Sequence, residues 1–145
     1  MKKSGRSSMC LEMLLSQFRD EPTFKDKDGV LYSRDWKRLL RCDNLGIREY
    51  CVRWGTQYVC GEAFEDCAWL CSIYLPVTVN GIGPYAFSRC TSLVHVSLPP
   101  SVHQIGDRAF SNCLSLRMVS IGNKRVSLGN YVFMSCNSLQ KIYFY

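Results

Sequence analysis

Cysteine is the residue type in this chain whose number and spacing could support the most chemistry. The chain has 145 residues and nine cysteines, four of which recur every 23 residues, as Cys67, Cys90, Cys113 and Cys136. Thiols can form disulfides, bind metal ions or act as nucleophiles. An odd count does not close into a complete disulfide framework, and no CxxC pair or histidine-containing ligand set is present. The pattern favours buried free thiols, with inter-repeat disulfides and a metal site as alternatives.

Two histidines, His95 and His103, are the other candidates for catalysis. Neither stands in a Ser-His-Asp or Cys-His order that is typical of a nucleophilic site. The sequence has no glycine-rich phosphate loop and no paired-carboxylate motif. We therefore predict a protein that is not an enzyme and that uses no cofactor, with no catalytic or metal-binding residues.

The 23-residue period of the cysteines extends to four columns of apolar residues. A phenylalanine stands three residues before each column cysteine, and three apolar positions follow it. Five columns in register over four copies indicate a repeat architecture, in which stacked copies share one core. The apolar columns are Phe64, Phe87, Phe110 and Phe133; Leu70, Leu93, Leu116 and Leu139; Ile73, Val96, Val119 and Ile142; and Leu75, Leu98, Ile121 and Phe144.

The repeated pattern Ile-Gly-x-x-Ala-Phe-x-x-Cys-x-x-Leu-x-x-Val-x-Leu-Pro resembles the BspA-like, treponemal-type leucine-rich repeat. It is most complete in Ile82 to Pro99 and in Ile105 to Ile121. The segment from Gly29 to Arg41 also resembles the cap that often precedes such repeats. We predict a leucine-rich repeat solenoid, a right-handed parallel β stack of 23-residue repeats with an N-terminal β-hairpin cap. The resemblance further implies display at or beyond the cell envelope, adhesion and protein recognition.

Three segments organise the predicted domain. Residues 1–28 form either a short helix, because Leu11, Leu14, Leu15 and Phe18 share one helical face, or the remnant of a leader. Residues 29–58 form the cap and a partial repeat. Residues 59–145 form the leucine-rich repeat domain. The strand of the partial repeat is marked by three residues that precede the first full copy by one period: Ile47, Tyr50 and Val52.

Charge and hydropathy narrow the function classes. The formal net charge of +6 arises from basic residues spread along the chain, which predicts a solvated surface rather than a nucleic-acid site. The sequence contains no run of 18 apolar residues, so no transmembrane helix is predicted. Lys2, Lys3 and Arg6 precede a short apolar run that Glu12 interrupts, so the sequence gives no convincing signal peptide. The compartment is predicted only from the resemblance.

The outward face of the strands is the predicted binding surface, because alternate strand residues point away from the core. Tyrosine, methionine and histidine there suit protein contact. The predicted function is a non-enzymatic protein–protein interaction module that recognises a protein partner, such as a host or matrix protein. The alternative readings are ordinary solvent-exposed strand residues and an architectural envelope protein. The predicted binding residues are Tyr74, His95, Ser97, Met118, Ser120, Lys141 and Tyr143, beside Glu49, Cys51 and Ser72.

The last four residues, Ile142, Tyr143, Phe144 and Tyr145, form an apolar stretch within a predicted strand. Apolar strand edges tend to pair with another chain. We therefore predict a homo-oligomer through the C-terminal repeat, most simply a two-fold dimer. Such a dimer could also frame an apolar pocket for a small hydrophobic ligand.

Overall fold

The computed structural model describes residues 23–145, which form twelve β-strands and no helix. The predicted helix within residues 1–28 lies outside the described residues. The strands are β1 (Thr23–Lys25), β2 (Val30–Ser33), β3 (Arg38–Cys42), β4 (Glu49–Cys51), β5 (Tyr58–Val59), β6 (Ser72–Tyr74), β7 (Gly81–Ile82), β8 (His95–Leu98), β9 (Gln104–Ile105), β10 (Met118–Ile121), β11 (Ser127–Leu128) and β12 (Lys141–Phe144).

Each repeat contributes strands to two separate ladders. The two-residue strands β5, β7, β9 and β11 pair in parallel and extend a seven-stranded sheet that begins with β1, β2 and β3. The longer strands form the parallel pair β4-β6 and the parallel sheet β8-β10-β12. Every parallel pairing between repeats joins residues 23 positions apart, as in Val96 with Val119 and Ile82 with Ile105. The predicted leucine-rich repeat solenoid is confirmed.

The N-terminal cap is a hairpin in which β2 runs antiparallel to β3. Strand β3 then pairs in parallel with β5, so that Leu39 lies beside Val59. The hairpin therefore covers the β5 edge of the parallel ladder β5-β7-β9-β11, which would otherwise present unpaired backbone groups. Strand β1 was not predicted from the sequence. It adds to β2, and the Phe24 ring stacks on Trp36 with centroids 5.1 Å apart.

The phenylalanine column forms a continuous stack of rings. The centroids of Phe64 and Phe87 are 5.3 Å apart, and those of Phe87 and Phe110 are 5.1 Å apart, with nearly parallel planes. Phe133 continues the stack at 5.7 Å and is partly buried. Tyr50 tilts against Phe64 at 5.8 Å and so extends the aromatic column towards the cap. Aromatic contacts of this kind add to the free energy that area burial provides.

The cysteine column is explained by a hydrogen bond that repeats along the solenoid. The thiol of Cys90 donates to the carbonyl oxygen of Phe64 at 3.2 Å, and the thiols of Cys113 and Cys136 donate to the phenylalanine carbonyls of their own preceding copies. Cysteine suits the position because it is small, tolerates burial and offers a weak donor. All eight cysteines between residues 23 and 145 are free thiols.

Two columns of non-glycine residues adopt left-handed backbone conformations, which the sequence pattern did not predict. Such conformations cost free energy and persist where surrounding contacts fix them. Here the strained N–H groups bond to the next repeat, as in Glu62 N–H to the Pro84 carbonyl at 2.9 Å. The first column is Glu62, Tyr85, Arg108 and Tyr131, and the second is Asp66, Arg89, Asn112 and Ser135.

The glycine of the Ile-Gly motif marks a close approach between successive repeats. A Cβ atom on Gly83 would lie 2.4 Å from the backbone nitrogen of Gly61, and one on Gly106 would lie 2.4 Å from that of Pro84. Neither contact can be relieved by turning a flexible side chain, because the opposing atoms belong to the backbone. The motif therefore requires glycine for spacing between the copies rather than for a positive φ angle.

Candidate binding surface

The outward strand face consists of the residues of β4, β6, β8, β10 and β12 that alternate with the buried columns. Strand β6 shows the principle: Ser72 and Tyr74 are exposed, whereas Ile73 between them is buried. The same alternation occurs in β4, where Tyr50 is buried between two exposed residues. The two-residue period of a strand thus separates core from surface, as the sequence predicted.

The ladder registers place the predicted binding residues in two columns along this face. His95, Met118 and Lys141 are direct neighbours in the first column. Glu49 and Ser72 are neighbours in the same column at the cap end. Strands β6 and β8 contact each other but do not pair as a ladder, so the face is divided between the first two rungs and the last three. The second column is Cys51, Tyr74, Ser97, Ser120 and Tyr143.

Ser120 differs from the expectation of an exposed outward residue. It is only 3% exposed, although it occupies the outward column between Ser97 and Tyr143. A short hydroxymethyl group beside a large ring is easily covered, and strand alternation carries no information on the size of neighbours. Met118 and Tyr143 are half-buried, and the other predicted residues, among them Tyr74 and His95, are exposed.

Three of the four residues predicted for self-association lie in β12, and the fourth, Tyr145, directly follows it. Ile142 is 42% exposed, Phe144 is 46% exposed and Tyr145 is 55% exposed. Tyr143 is half-buried, and the Lys141 ammonium lies 5.1 Å from its ring centroid. The Tyr145 hydroxyl reaches back over two repeats and donates to the Leu98 carbonyl at 3.4 Å.

Apolar residues just beyond the strand ends enlarge the outward face, and the sequence analysis missed them. Trp54, Val77 and Pro100 follow three successive strands at the 23-residue spacing and are all exposed. Their signal in the sequence is an apolar residue where a turn normally carries a polar one. A cavity of about 200 Å³ opens beside them and is lined by Ile73, Tyr74, Leu75, Val77, Ser97, Pro99, Pro100 and Tyr145.

A second, larger cavity lies at the cap end of the face and was also missed. It measures about 550 Å³ and is lined by Asp26, Lys27, Asp28, Trp36, Glu49, Tyr50, Cys51 and Arg53. Nothing in the residue pattern predicted it, because it depends on where the loop after β1 lies relative to β4. The Arg53 guanidinium stands over the Trp36 ring, 4.2 Å from the centroid.

A chain of hydroxyl groups fixes the wall of this larger cavity. The Tyr50 hydroxyl donates to Asp26 Oδ2 at 2.6 Å, and the Tyr32 hydroxyl lies 2.6 Å from that of Tyr50. The backbone N–H of Arg53 donates to the Tyr32 oxygen. Burial raises the pKa of both tyrosines, and the hydrogen bond to Asp26 raises the pKa of Tyr50 further. Both hydroxyls therefore stay protonated at neutral pH and hold the cap to β4.

No group of three or more histidine, cysteine, aspartate or glutamate side chains within residues 23–145 is arranged to hold a metal ion. Over the same range, the structure contains no helix with the length and apolar character needed to span a bilayer.

These parallel ladders and repeated columns define the class of protein as a leucine-rich repeat protein. The family model described as a BspA type leucine rich repeat region matches residues 57–145 in six copies, which is more than half of the chain. The chain belongs to this BspA-type leucine-rich repeat family. No curated protein matches it significantly.

Solved structures of bacterial leucine-rich repeat proteins share the fold. One from Eubacterium ventriosum superposes with a TM-score of 0.76 and 20% identity, over 85% of this chain and 33% of its own. One from Bacteroides capillosus superposes with a TM-score of 0.73 and 22% identity, over 86% of this chain and 99% of its own. The pneumococcal vaccine antigen PcpA superposes with a TM-score of 0.60 and 19% identity, over 84% of this chain and 36% of its own. The chain thus spans only about a third of the first and third of these relatives and nearly all of the second.

Proposed function

We propose that this chain is a protein-recognition module that binds a protein partner through its outward strand face. The observation that carries the proposal is the exposure of Tyr74, which is 60% accessible on the outward face and lies near the exposed Val77. Tyrosine combines a large apolar area with a polar group and is enriched at the centres of protein interfaces. Membership of a repeat family whose members generally bind proteins supports the same reading.

Two features argue for a macromolecular partner rather than a small ligand. The cavity beside Tyr74 holds about 200 Å³, which is below the size of most small-molecule sites. The apolar residues around it extend over several repeats instead of converging on one point. A partner that lies along the face contacts more of them than a compact ligand can.

Substitution of Tyr74 by Ala is expected to weaken partner binding by about tenfold or more, which is typical of an aromatic interface residue. Tyr131 is the matched control, because it is also a tyrosine and is 63% exposed but follows β11 of the seven-stranded sheet rather than a strand of the outward face. The measurement is surface plasmon resonance against immobilised matrix proteins. Equal loss of binding for Tyr74→Ala and Tyr131→Ala would remove the strand face as the site.

Display at the cell surface is the setting that we propose for this recognition. One solved relative is described as a leucine rich cell surface protein from Faecalibacterium prausnitzii, and another is a pneumococcal vaccine antigen. Adhesion to a host or matrix protein is the form of recognition that fits such a setting. A purely architectural role in the envelope is the competing proposal, and binding of the soluble chain to matrix proteins distinguishes the two.

Self-association through β12 is a second proposal, favoured by the exposure of Ile142 and Phe144. Strand β12 pairs only with β10 among the strands of residues 23–145, and exposed apolar side chains on such an edge favour pairing with a second copy. We expect the 145-residue chain to sediment as a dimer at high concentration and the Phe144→Lys variant to sediment as a monomer. A wild-type chain that remains monomeric at the highest concentration reached would end this proposal.

A further inference from the structure

The cap covers only one of the two ladders of the solenoid. Strand β3 pairs with β5 and thereby covers the first edge of the parallel ladder β5-β7-β9-β11. Strand β4, which begins the outward ladder, pairs with β6 alone, and its other edge has no strand neighbour among residues 23–145. No strand of the described segment therefore occupies the position beside β4 that a preceding repeat's strand would fill.

Backbone groups of β4 point into this open position. Arg48 and Val52 direct their backbone groups at the second rung, since the Arg48 carbonyl accepts from Cys71 N–H and Val52 N–H donates to the Tyr74 carbonyl. Backbone groups alternate in direction along a strand. The N–H and C=O groups of Glu49 and Cys51 must then face the opposite edge, where they are available to an added strand.

The cavity of about 550 Å³ lies along this edge and gives it a second wall. Asp26, Lys27, Asp28 and Trp36 line the side opposite β4. The bonds from Tyr50 to Asp26 and from Arg53 N–H to Tyr32 hold the two walls together. A cleft that is fixed before binding loses less conformational entropy when a ligand enters.

Opposite charges mark the two ends of the open edge. Glu49 stands at the start of β4, and Arg53 follows its end, held over Trp36. No side chain among residues 23–145 forms an ion pair with either of them. Cross-strand pairs of opposite charge stabilise a ladder, and like charges destabilise it.

We propose that an extended peptide segment of a protein partner adds to the open edge of β4 as a parallel strand, with a basic residue opposite Glu49 and an acidic residue opposite Arg53. Parallel addition continues the direction of every other pairing in the outward ladder. Main-chain hydrogen bonds supply affinity in this mode of recognition, and the alternating side chains supply specificity. The site lies at the cap end of the outward face and does not include the Tyr74 side chain, which stands on the next strand. Loss of peptide binding at β4 would therefore leave the proposed recognition through Tyr74 standing.

Two peptides of equal composition test the charge pattern. The probe is fluorescein-labelled Thr-Lys-Val-Thr-Val-Glu-Thr, and its counterpart Thr-Glu-Val-Thr-Val-Lys-Thr exchanges the charged residues. Fluorescence anisotropy with the full chain is expected to show the first peptide binding about tenfold more tightly, from two favourable pairs replacing two repulsive ones. Equal binding of the two, or no binding of the first at millimolar concentration, would overturn the proposal.

Backbone changes on both partners test strand addition directly. Cys51→Pro removes the N–H that faces the cleft without touching the β4-β6 pairing, and it is expected to abolish binding, whereas Cys51→Ala is expected to bind like wild type. N-methylation of the two valines of the probe, whose N–H groups face β4 in this register, is expected to abolish binding, and N-methylation of the central threonine is not.

Two outcomes of these experiments would contradict strand addition by an external partner. One is undiminished binding of the valine-methylated peptide, a result that does not depend on how well the proline variant folds. The other is binding that appears only after residues 1–22 are removed, because the chain's own N-terminal segment would then occupy the cleft.

Discussion

Replacement of Phe110 by Ala is expected to lower the free energy of unfolding by about 3 to 5 kcal/mol, the usual cost of deleting a buried aromatic ring. The Phe110 side chain is fully buried and lies between the rings of Phe87 and Phe133. The stack runs from one repeat to the next, so neighbouring rings cannot collapse into the cavity without disturbing their own repeats. The loss is a large part of the stability of a small domain.

Urea unfolding monitored by circular dichroism measures this effect. Tyr131 provides the control, because it is also an aromatic residue but is 63% exposed and lies outside the strand proposed for self-association. Tyr131→Ala is expected to cost less than about 1 kcal/mol, as surface substitutions usually do. If Phe110→Ala unfolds at the same urea concentration as the wild type, the stacked column does not stabilise the solenoid.

Alkaline pH is expected to destabilise the protein strongly above about pH 9. Burial raises the pKa of the Cys60 thiol to about 12 and also raises the pKa of the Cys90 thiol. In the unfolded chain these thiols ionise near pH 8.5, so above that pH it binds fewer protons than the native state. Their stabilising contribution is complete below the unfolded pKa and falls as pH rises towards the folded values.

The slope of stability with pH measures this contribution. Each thiol that ionises only in the unfolded chain lowers the free energy of unfolding by about 1.4 kcal/mol per pH unit. Urea unfolding between pH 7 and pH 11 in reductant should show the decline, and Cys60→Ala should make it shallower. Cys51→Ala is the control, because Cys51 is exposed. Stability that is level up to pH 11 would show that the Cys60 and Cys90 thiols are not held protonated by burial.

The solenoid could be predicted from the sequence because each buried position recurs in several copies of the repeat. Leu70, Leu93 and Leu116, for example, occupy the same position in three copies and are all fully buried. The partial repeat could be predicted from the same 23-residue spacing, because Tyr50 and Val52 stand one period before Ile73 and Leu75. All four side chains are buried. The outward alternation of β4, β6 and β8 was equally predictable, because it needs only the two-residue period. In β12 the alternation is lost, since Ile142 and Phe144 of the apolar columns are exposed.

Features without a repeated signal could not be predicted. Strand β1 depends on the pairing of Phe24 with Tyr32 and on the stacking against Trp36, and neither pair lies in the 23-residue register. The left-handed backbone of Tyr85 and Arg108 is set by contacts between repeats rather than by residue type. The burial of Ser120 depends on its neighbours, and the cleft beside β4 on the position of a loop.

Photo-crosslinking from single positions tests the central claim, that partner recognition takes place on the outward strand face. Benzoylphenylalanine is placed at position 74 in one protein and at position 131 in another, since both sites carry exposed tyrosines on different sides of the solenoid. Each protein is irradiated with intact cells or matrix, and the adducts are identified by mass spectrometry. The account predicts a discrete protein adduct from position 74 and none from position 131. An adduct formed from position 131 alone would contradict it.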